Sequence, residues 1–258
     1  DGTFVLLTGA PDVGQGSSTV LSQIAAEELG VILEDISIIT ADTDTTPLDY
    51  GAIGSRVTHT TGNAVRLAAI DVKKRLFELA SEMLEVDVKD LEFHNKKVGI
   101  KGSPDRNISI GDLSQAGLFQ RGSLITGQAS FLEKSGPLIA KRVQGYPFME
   151  GDPAFQSATV TAEVEVDTET GRVNVLSCVL SQDVGRCINP ITLEGQMQGA
   201  TIQGIGYALT EDAVYSDGLH LNPNFVDYKI LTALDVPEIV PLVVEEPDPT
   251  GPYGAKGV

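Results

Sequence analysis

The sequence is short of the residues that most often announce a chemistry. Among 258 residues only Cys178 and Cys187 are cysteines, one inside a strand-like run and one beside a glycine turn, with no C-x-x-C pair. No disulfide framework is expected, and neither an iron–sulfur cluster nor a structural zinc site finds its ligands. His59, His94 and His220 stand in unlike contexts without a second histidine at helical spacing. Each is assigned an ordinary surface or core role, so any metal would arrive bound to something else. Cationic side chains are also few: 18 Lys and Arg face 36 Asp and Glu, a formal charge of −18. That field repels phosphate backbones and anionic lipid heads, so neither nucleic acid nor a membrane surface is an expected partner. Apolar runs such as Phe4–Leu7 fall far short of the roughly 20 residues a spanning helix needs, and no charged-then-apolar segment opens the chain. We expect a cytoplasmic protein.

The common nucleotide and hydrolase signatures are missing as well. There is no G-x-x-x-x-G-K-[ST], no G-x-G-x-x-G opening a βαβ unit and no G-x-S-x-G, and no histidine has an obvious serine or cysteine partner. A simple nucleotide-binding enzyme or a serine hydrolase is therefore not supported.

What is present is a succession of helices and strands. Thr3–Thr8 reads as a strand, followed by the turn-rich Gly9–Gly16. Ser17 or Ser18 can cap a helix whose apolar face is Val20, Leu21, Ile24, Ala25 and Leu29 and which Gly30 ends. Ile36–Ile39 is a short β-branched run and Thr40–Gly54 is turn-like. Val65, Ala68, Val72, Leu76, Leu79 and Met83 recur at helical spacing between about 61 and 84. Residues 86–110 alternate in short pieces suited to small hairpins, and 124–153 is irregular. Ala158–Val166 and Val173–Val179 form the clearest hairpin, joined by Asp167–Gly171. A helix over about 190–210 carries small residues at Gly195, Gly199, Ala200, Gly204 and Gly206, which permit another backbone to approach. A strand is expected near 239–245, then the glycine loop Gly251–Val258. With no repeat and no long linker, we expect an α+β fold of mixed sheets with packed helices, in two pseudo-subdomains meeting near residues 145–155.

Three glycine-containing loops precede helix starts. Gly14-Gln15-Gly16 can converge backbone N–H groups on oxygens of a ligand, or can simply be a tight turn between strand and helix. Gly54-Ser55-Arg56 offers backbone donors, a hydroxyl and a guanidinium, a set suited to pyrophosphate, although a loop arginine also serves as a solvated charge. Asp183–Pro190 leads into a helix bearing Gln196, Gln198 and Gln203, whose amides can read a heterocycle edge or merely solvate the helix.

Taken in order, Asp12–Thr19, Gly54–Thr58 through Gly62–Ala64, Asp183–Gly185 through Asn189–Pro190, Gly195–Ala200 through Gln203–Gly206, and Gly251–Gly257 closely resemble the second half of the molybdopterin subunit of the xanthine dehydrogenase and aldehyde oxidase family. The likeness covers the whole chain and points to the bacterial xanthine and nicotinate dehydrogenases. It implies a hydroxylase whose pterin-held molybdenum inserts oxygen from water at an electron-poor carbon, with an N-heterocycle the favoured substrate. Purines, nicotinate-like pyridines, aldehydes and aromatic thioesters all remain open. It further implies that Val13, Gly14, Gln15 and Gly16, with Ala52, Gly54, Ser55, Arg56 and Val57, contact the pterin, that Gln196 reaches it near the dithiolene, and that the cofactor carries a cytosine dinucleotide tail. [2Fe–2S] clusters, FAD and the first molybdopterin-binding half are then expected on partner chains or domains. The family's catalytic glutamate would sit two residues beyond Val258, so no proton-transfer residue is assigned here. A non-catalytic molybdopterin- or nucleotide-carrying module is the competing reading.

Overall fold

The computed structural model describes residues 2–132 and 154–258. They form two compact units, Asp1–Ala154 with the returning segment Asp248–Gly257, and Phe155–Pro247. The boundary expected at 145–155 falls mostly outside the described residues.

The first unit begins as a βαβ element. Strand β1 (Phe4–Thr8) and strand β2 (Ile36–Thr40) pair in parallel from Phe4↔Ile36 to Thr8↔Thr40, joined by helix α1 (Ser17–Leu29). The face of α1 read from periodicity is the buried one, including Val20, Leu21, Ile24, Ala25 and Leu29. Gly30 ends the helix at φ 65°, a left-handed conformation that glycine adopts without a Cβ penalty. The start differs from expectation. Gly16, not Ser17 or Ser18, is the N-cap residue and supplies no side chain; the Ser18 N–H goes instead to the Asp12 carboxylate at 3.0 Å. A π-helical turn, Val57–Thr61, then leads into helix α2 (Gly62–Leu84). Leu76 and Leu79 are buried as expected, but Met83 lies one turn past the buried stretch and is exposed.

Strands β3 (Leu91–His94), β4 (Lys97–Ile100) and β5 (Ser103–Ser109) form an antiparallel sheet in that order. Helix α3 (Ile110–Arg121) follows, and the sequence reading did not anticipate it. It completes the core: Ile110, Leu113 and Ala116 pack with Leu76, Leu79 and Ala80 of α2, Leu91 of β3 and Val98 of β4. Burying each of the larger aliphatic side chains contributes about 1.5–3 kcal/mol, so α3 is integral to the unit.

In the second unit, β6 (Ala158–Val166) and β7 (Val173–Asp183) make the expected hairpin, β7 running four residues further than read. The turn is closed by Gly171 N–H donating to Asp167 O at 2.7 Å. Helix α4 (Pro190–Leu209) starts at Asn189, whose Oδ1 accepts from Thr192 N–H at 3.2 Å, with Pro190 in the first turn where its missing donor costs nothing. A small hairpin of β8 (Tyr215–Ser216) and β9 (Leu219–His220) precedes β10 (Glu238–Val244), which pairs in parallel with β7 to give the order β10-β7-β6. The fold is α+β with mixed sheets, as read. No described helix is long and apolar enough to cross a membrane.

Candidate cofactor site

In the first unit, the loop after β1 is shaped by its own carboxylate. Asp12 Oδ1 accepts from the N–H groups of Gly14 (3.0 Å) and Gly16 (3.3 Å), while Oδ2 accepts from Ser18. Partial burial works to raise this carboxyl, but the donors from Ser18, Gly14 and Gly16 together outweigh it and hold Asp12 below the ordinary carboxylate range. An internal anion thus occupies the start of α1, the position at which the helix dipole and orphan N–H groups would otherwise attract one from outside. Gln15 is likewise folded inward. Its Oε1 accepts from Val13 N–H at 2.7 Å, and its Nε2 donates to Pro11 O and Ser17 Oγ, both at 3.0 Å. Of the residues expected to meet a ligand here, Val13 is exposed, and Gly14 sits at φ 112° with nothing within 4 Å of where a Cβ would stand.

The second loop is organised by Asp49, a residue the sequence reading passed over. Its Oδ1 accepts from Gly51 N–H and pairs with Arg56 Nη1, both at 2.8 Å, and its Oδ2 accepts from Thr61 Oγ1 at 3.1 Å. Arg56 Nη1 also donates to Gly51 O at 3.1 Å. The guanidinium expected to face phosphate is therefore partly committed to closing its own turn. Gly54 and Ser55 both take left-handed conformations, at φ 58° and 57°, which for serine is a strained choice. Both are exposed; Ala52 is half-buried and the Val57 side chain is buried, leaving Val57 only its backbone to offer a ligand. The two loops are linked at Gly9, where a Cβ would stand 2.1 Å from Pro47 O and 3.0 Å from the Asp49 Cβ.

The returning segment completes this unit. Asn63 Nδ2 donates to His59 O at 2.9 Å and Thr250 O at 2.8 Å. His59 Nε2 lies 3.0 Å from Thr250 Oγ1, which in turn donates to Asp248 Oδ1 at 2.5 Å. Because the one hydroxyl proton goes to the carboxylate, His59 must supply the proton of its contact, which fixes the Nε2–H form. Burial lowers the His59 pKa, opposed by the charge of Asp248. Tyr253 Oη donates to Glu28 Oε2 at 3.0 Å, and Arg66 stacks over its ring at 4.9 Å. Burial, then the Glu28 charge and hydrogen bond, push that phenol upward. At the end of the segment a Cβ on Gly257 would stand 1.7 Å from Ser55 O, so only glycine fits against the second loop. Burial works to raise the Asp248 carboxyl, but the hydrogen bonds from Thr250, then the charges of His59 and of the buried Lys256, hold it below the usual range.

The second unit contains the remaining candidate, Gln196, exposed on α4. Asp183 accepts from Gly185 N–H at 3.0 Å, and Glu245 Oε1 from Cys187 N–H at 2.7 Å. Burial and then the Glu245 and Glu194 charges raise the Cys187 thiol, which keeps it protonated. Among the small residues of α4, a Cβ at Gly195, Gly199 or Gly204 would meet nothing within 4 Å, whereas at Gly206 it would stand 2.5 Å from Glu211 Oε1.

These loops suit a ligand rich in oxygen and nitrogen. The open glycine edges at Gly14, Gly51 and Gly54 expose main chain beside a serine hydroxyl and a guanidinium, and the scaffold is already closed on itself by Asp12, Gln15 and Asp49. Residues 1–237 match the family described as the molybdopterin cofactor-binding domain. The chain belongs to this family. Among its relatives, it is 35% identical over its whole length to the 6-hydroxypseudooxynicotine dehydrogenase complex subunit gamma of Paenarthrobacter nicotinovorans, covering 31% of that protein. It is 31% identical over its whole length to the xanthine dehydrogenase molybdenum-binding subunit of Escherichia coli O157:H7, covering 33% of it. Among solved structures, 97% of the chain superposes on 30% of the Cu,Mo-CO dehydrogenase chain with a TM-score of 0.79 at 29% identity. The chain thus spans about a third of the length of these proteins.

Proposed function

We propose that this chain is the molybdopterin-binding portion of a molybdenum hydroxylase acting on an N-heterocycle of the xanthine or nicotinate type. The observation that carries the reading is the family match across residues 1–237, on a chain whose first unit gathers the Asp12–Gly16 loop, the Asp49–Val57 loop and the 248–257 segment. When bound, the cofactor supplies transfer of a water-derived oxygen to an electron-poor carbon; the protein binds, orients and shields it. Val13, Gly14 and Gly16 would present the outer edge of the first loop, with Gln15 bracing it from within and offering its main chain, and Ala52, Gly54, Ser55, Arg56 and Val57 would present the second. Gln196 would contribute an amide from α4. A cytosine dinucleotide form suits the Ser55 hydroxyl and Arg56, with the guanidinium shared between phosphate and Asp49. The chain would work in the cytoplasm beside iron–sulfur and FAD partners and the polypeptide making up the other two-thirds of its relatives. The names of the two curated relatives, a pseudooxynicotine derivative and xanthine, support the heterocycle assignment.

The test uses the parent protein produced with its partners. Gln15→Ala frees Val13 N–H and Pro11 O inside the first loop, and Gln196→Ala removes an exposed amide. Each loss is worth about 1–2 kcal/mol, so the affinity for the pterin should fall about 5- to 30-fold. Molybdenum content and turnover should both drop while circular dichroism is unchanged. Full molybdenum and full rate in both variants would defeat the assignment; full molybdenum with no turnover in the unaltered protein would favour the carrier module.

A further inference from the structure

We propose that Thr250 and His59 are positioning residues for the cofactor site, a role that rests on the molybdopterin reading above. The segment 248–257 is tied to the first unit at both ends. At its start, Thr250 is held three ways: Asn63 Nδ2 donates to its carbonyl at 2.8 Å, His59 Nε2–H donates to its hydroxyl at 3.0 Å, and that hydroxyl donates to Asp248 at 2.5 Å. At its far end, Gly257 abuts Ser55 O so closely that a Cβ would stand 1.7 Å away. Between the two ends, Tyr253 is clamped by Glu28 and Arg66, and Gly251 admits the Ala255 carbonyl at 1.9 Å from its own absent Cβ. The segment therefore behaves as a short rigid strut. It carries the position of His59 and Asn63, in the turn and helix that follow the second loop, back to Ser55 within that loop.

The consequence is mechanical. Ser55 is held in a left-handed conformation that costs of order 1–3 kcal/mol and persists only while its surroundings over-determine it. Gly257 is one of those surroundings. Loosening Thr250 lets the strut retreat, and Ser55 and Gly54 can then relax away from the backbone geometry that faces the ligand. Among the described residues, Asp248 and Asn63 bond Thr250, Asn63 also bonds the His59 carbonyl, the ring of Phe131 meets His59 edge-on at 6.3 Å, and the Lys256 charge acts on Asp248. None of them substitutes for the hydroxyl, because a single atom must accept from His59 and donate to Asp248 at once.

Thr250→Val keeps volume and β-branching but removes that atom, and Thr250→Ser restores it. In the holoprotein, with its partners present, Thr250→Val should speed loss of bound molybdopterin at least about tenfold. It should also raise hydrogen exchange at residues 251–257 and 54–57 about tenfold, with α3 unchanged. Thr250→Ser should return both towards the native values, and His59→Gln, which retains an N–H donor, should sit nearer native than His59→Ala. The proposal is overturned if Thr250→Val leaves cofactor loss and loop exchange at native rates, if exchange rises equally throughout the first unit, or if Thr250→Ser fails to rescue. Should the native protein contain no molybdopterin, the functional reading fails; local, serine-rescued exchange at 54–57 would still establish the strut.

Discussion

At the scale of single residues, the loops are governed by carboxylates and one imidazole that hydrogen-bond within their own unit. Asp49 converts Arg56 from a solvated loop charge into a clamp on its own turn, with only about a tenth of the Asp49 side chain exposed. Removing one member of a buried ion pair strands the other, which costs about 3–5 kcal/mol when burial is complete and less at the partly exposed Arg56. Asp49→Ala should therefore lower the unfolding midpoint of the first unit clearly, whereas Arg75→Ala, whose pair with Asp71 is exposed, should barely move it. Equal shifts in a denaturant titration would contradict this. His59 gives a pH signature. Its folded pKa is lowered below 6.5, so the unfolded chain takes up a proton first and stability falls as pH drops from about 7 through the folded value. Asp12 and Asp248 are also lowered from 3.8, and their contribution disappears only in stronger acid, below about pH 4. His59→Gln should flatten the curve just below about pH 7 while leaving the steep acid limb in place; parallel curves for the two proteins would refute the assignment.

Elements were legible wherever a local period or turn dictated them. The β1–α1–β2 unit, the β6–β7 hairpin with its Asp167–Gly171 turn, α4 behind Asn189-Pro190, and the Gly30 stop all follow from short-range rules. Helix α3 escaped because its buried positions are sparse and share the helix with Leu118 and Phe119, which are exposed and blur the period. The legible signal was the cap. Ser109 Oγ accepts Asp112 N–H at 3.0 Å and donates to Asp112 Oδ2 at 2.6 Å. Ser109→Ala should cost about 1 kcal/mol, and Leu113→Ala, at a fully buried position, about 2–5 kcal/mol. Chemical denaturation of both variants would check the ranking; a larger loss for Ser109→Ala would place α3 outside the core. The site was legible only as loops. That Gly54-Ser55-Arg56 meets Gly257, or that His59 reaches Thr250, involves partners about two hundred residues apart, which no local pattern encodes.

At the scale of the molecule, two units of one chain carry the family's loops, and the last ten residues of the first unit arrive only after the second has been traversed. Closing so long a loop is entropically costly, and the Tyr253, Thr250 and Gly257 contacts are what hold the returning segment in place. The chain covers about a third of its relatives, so the rest of the cofactor's contacts are expected from polypeptide outside it. Losing half of the contacts to a ligand removes several kcal/mol, which is orders of magnitude in dissociation constant. The direct test is elemental and pterin analysis of two samples purified side by side, the parent protein with its partners and the 258-residue chain alone. We predict about one molybdenum per parent polypeptide, with cytosine nucleotide released on acid treatment, and less than about a tenth of that in the chain alone. No molybdenum in the parent, or a full complement in the isolated chain, would contradict the account.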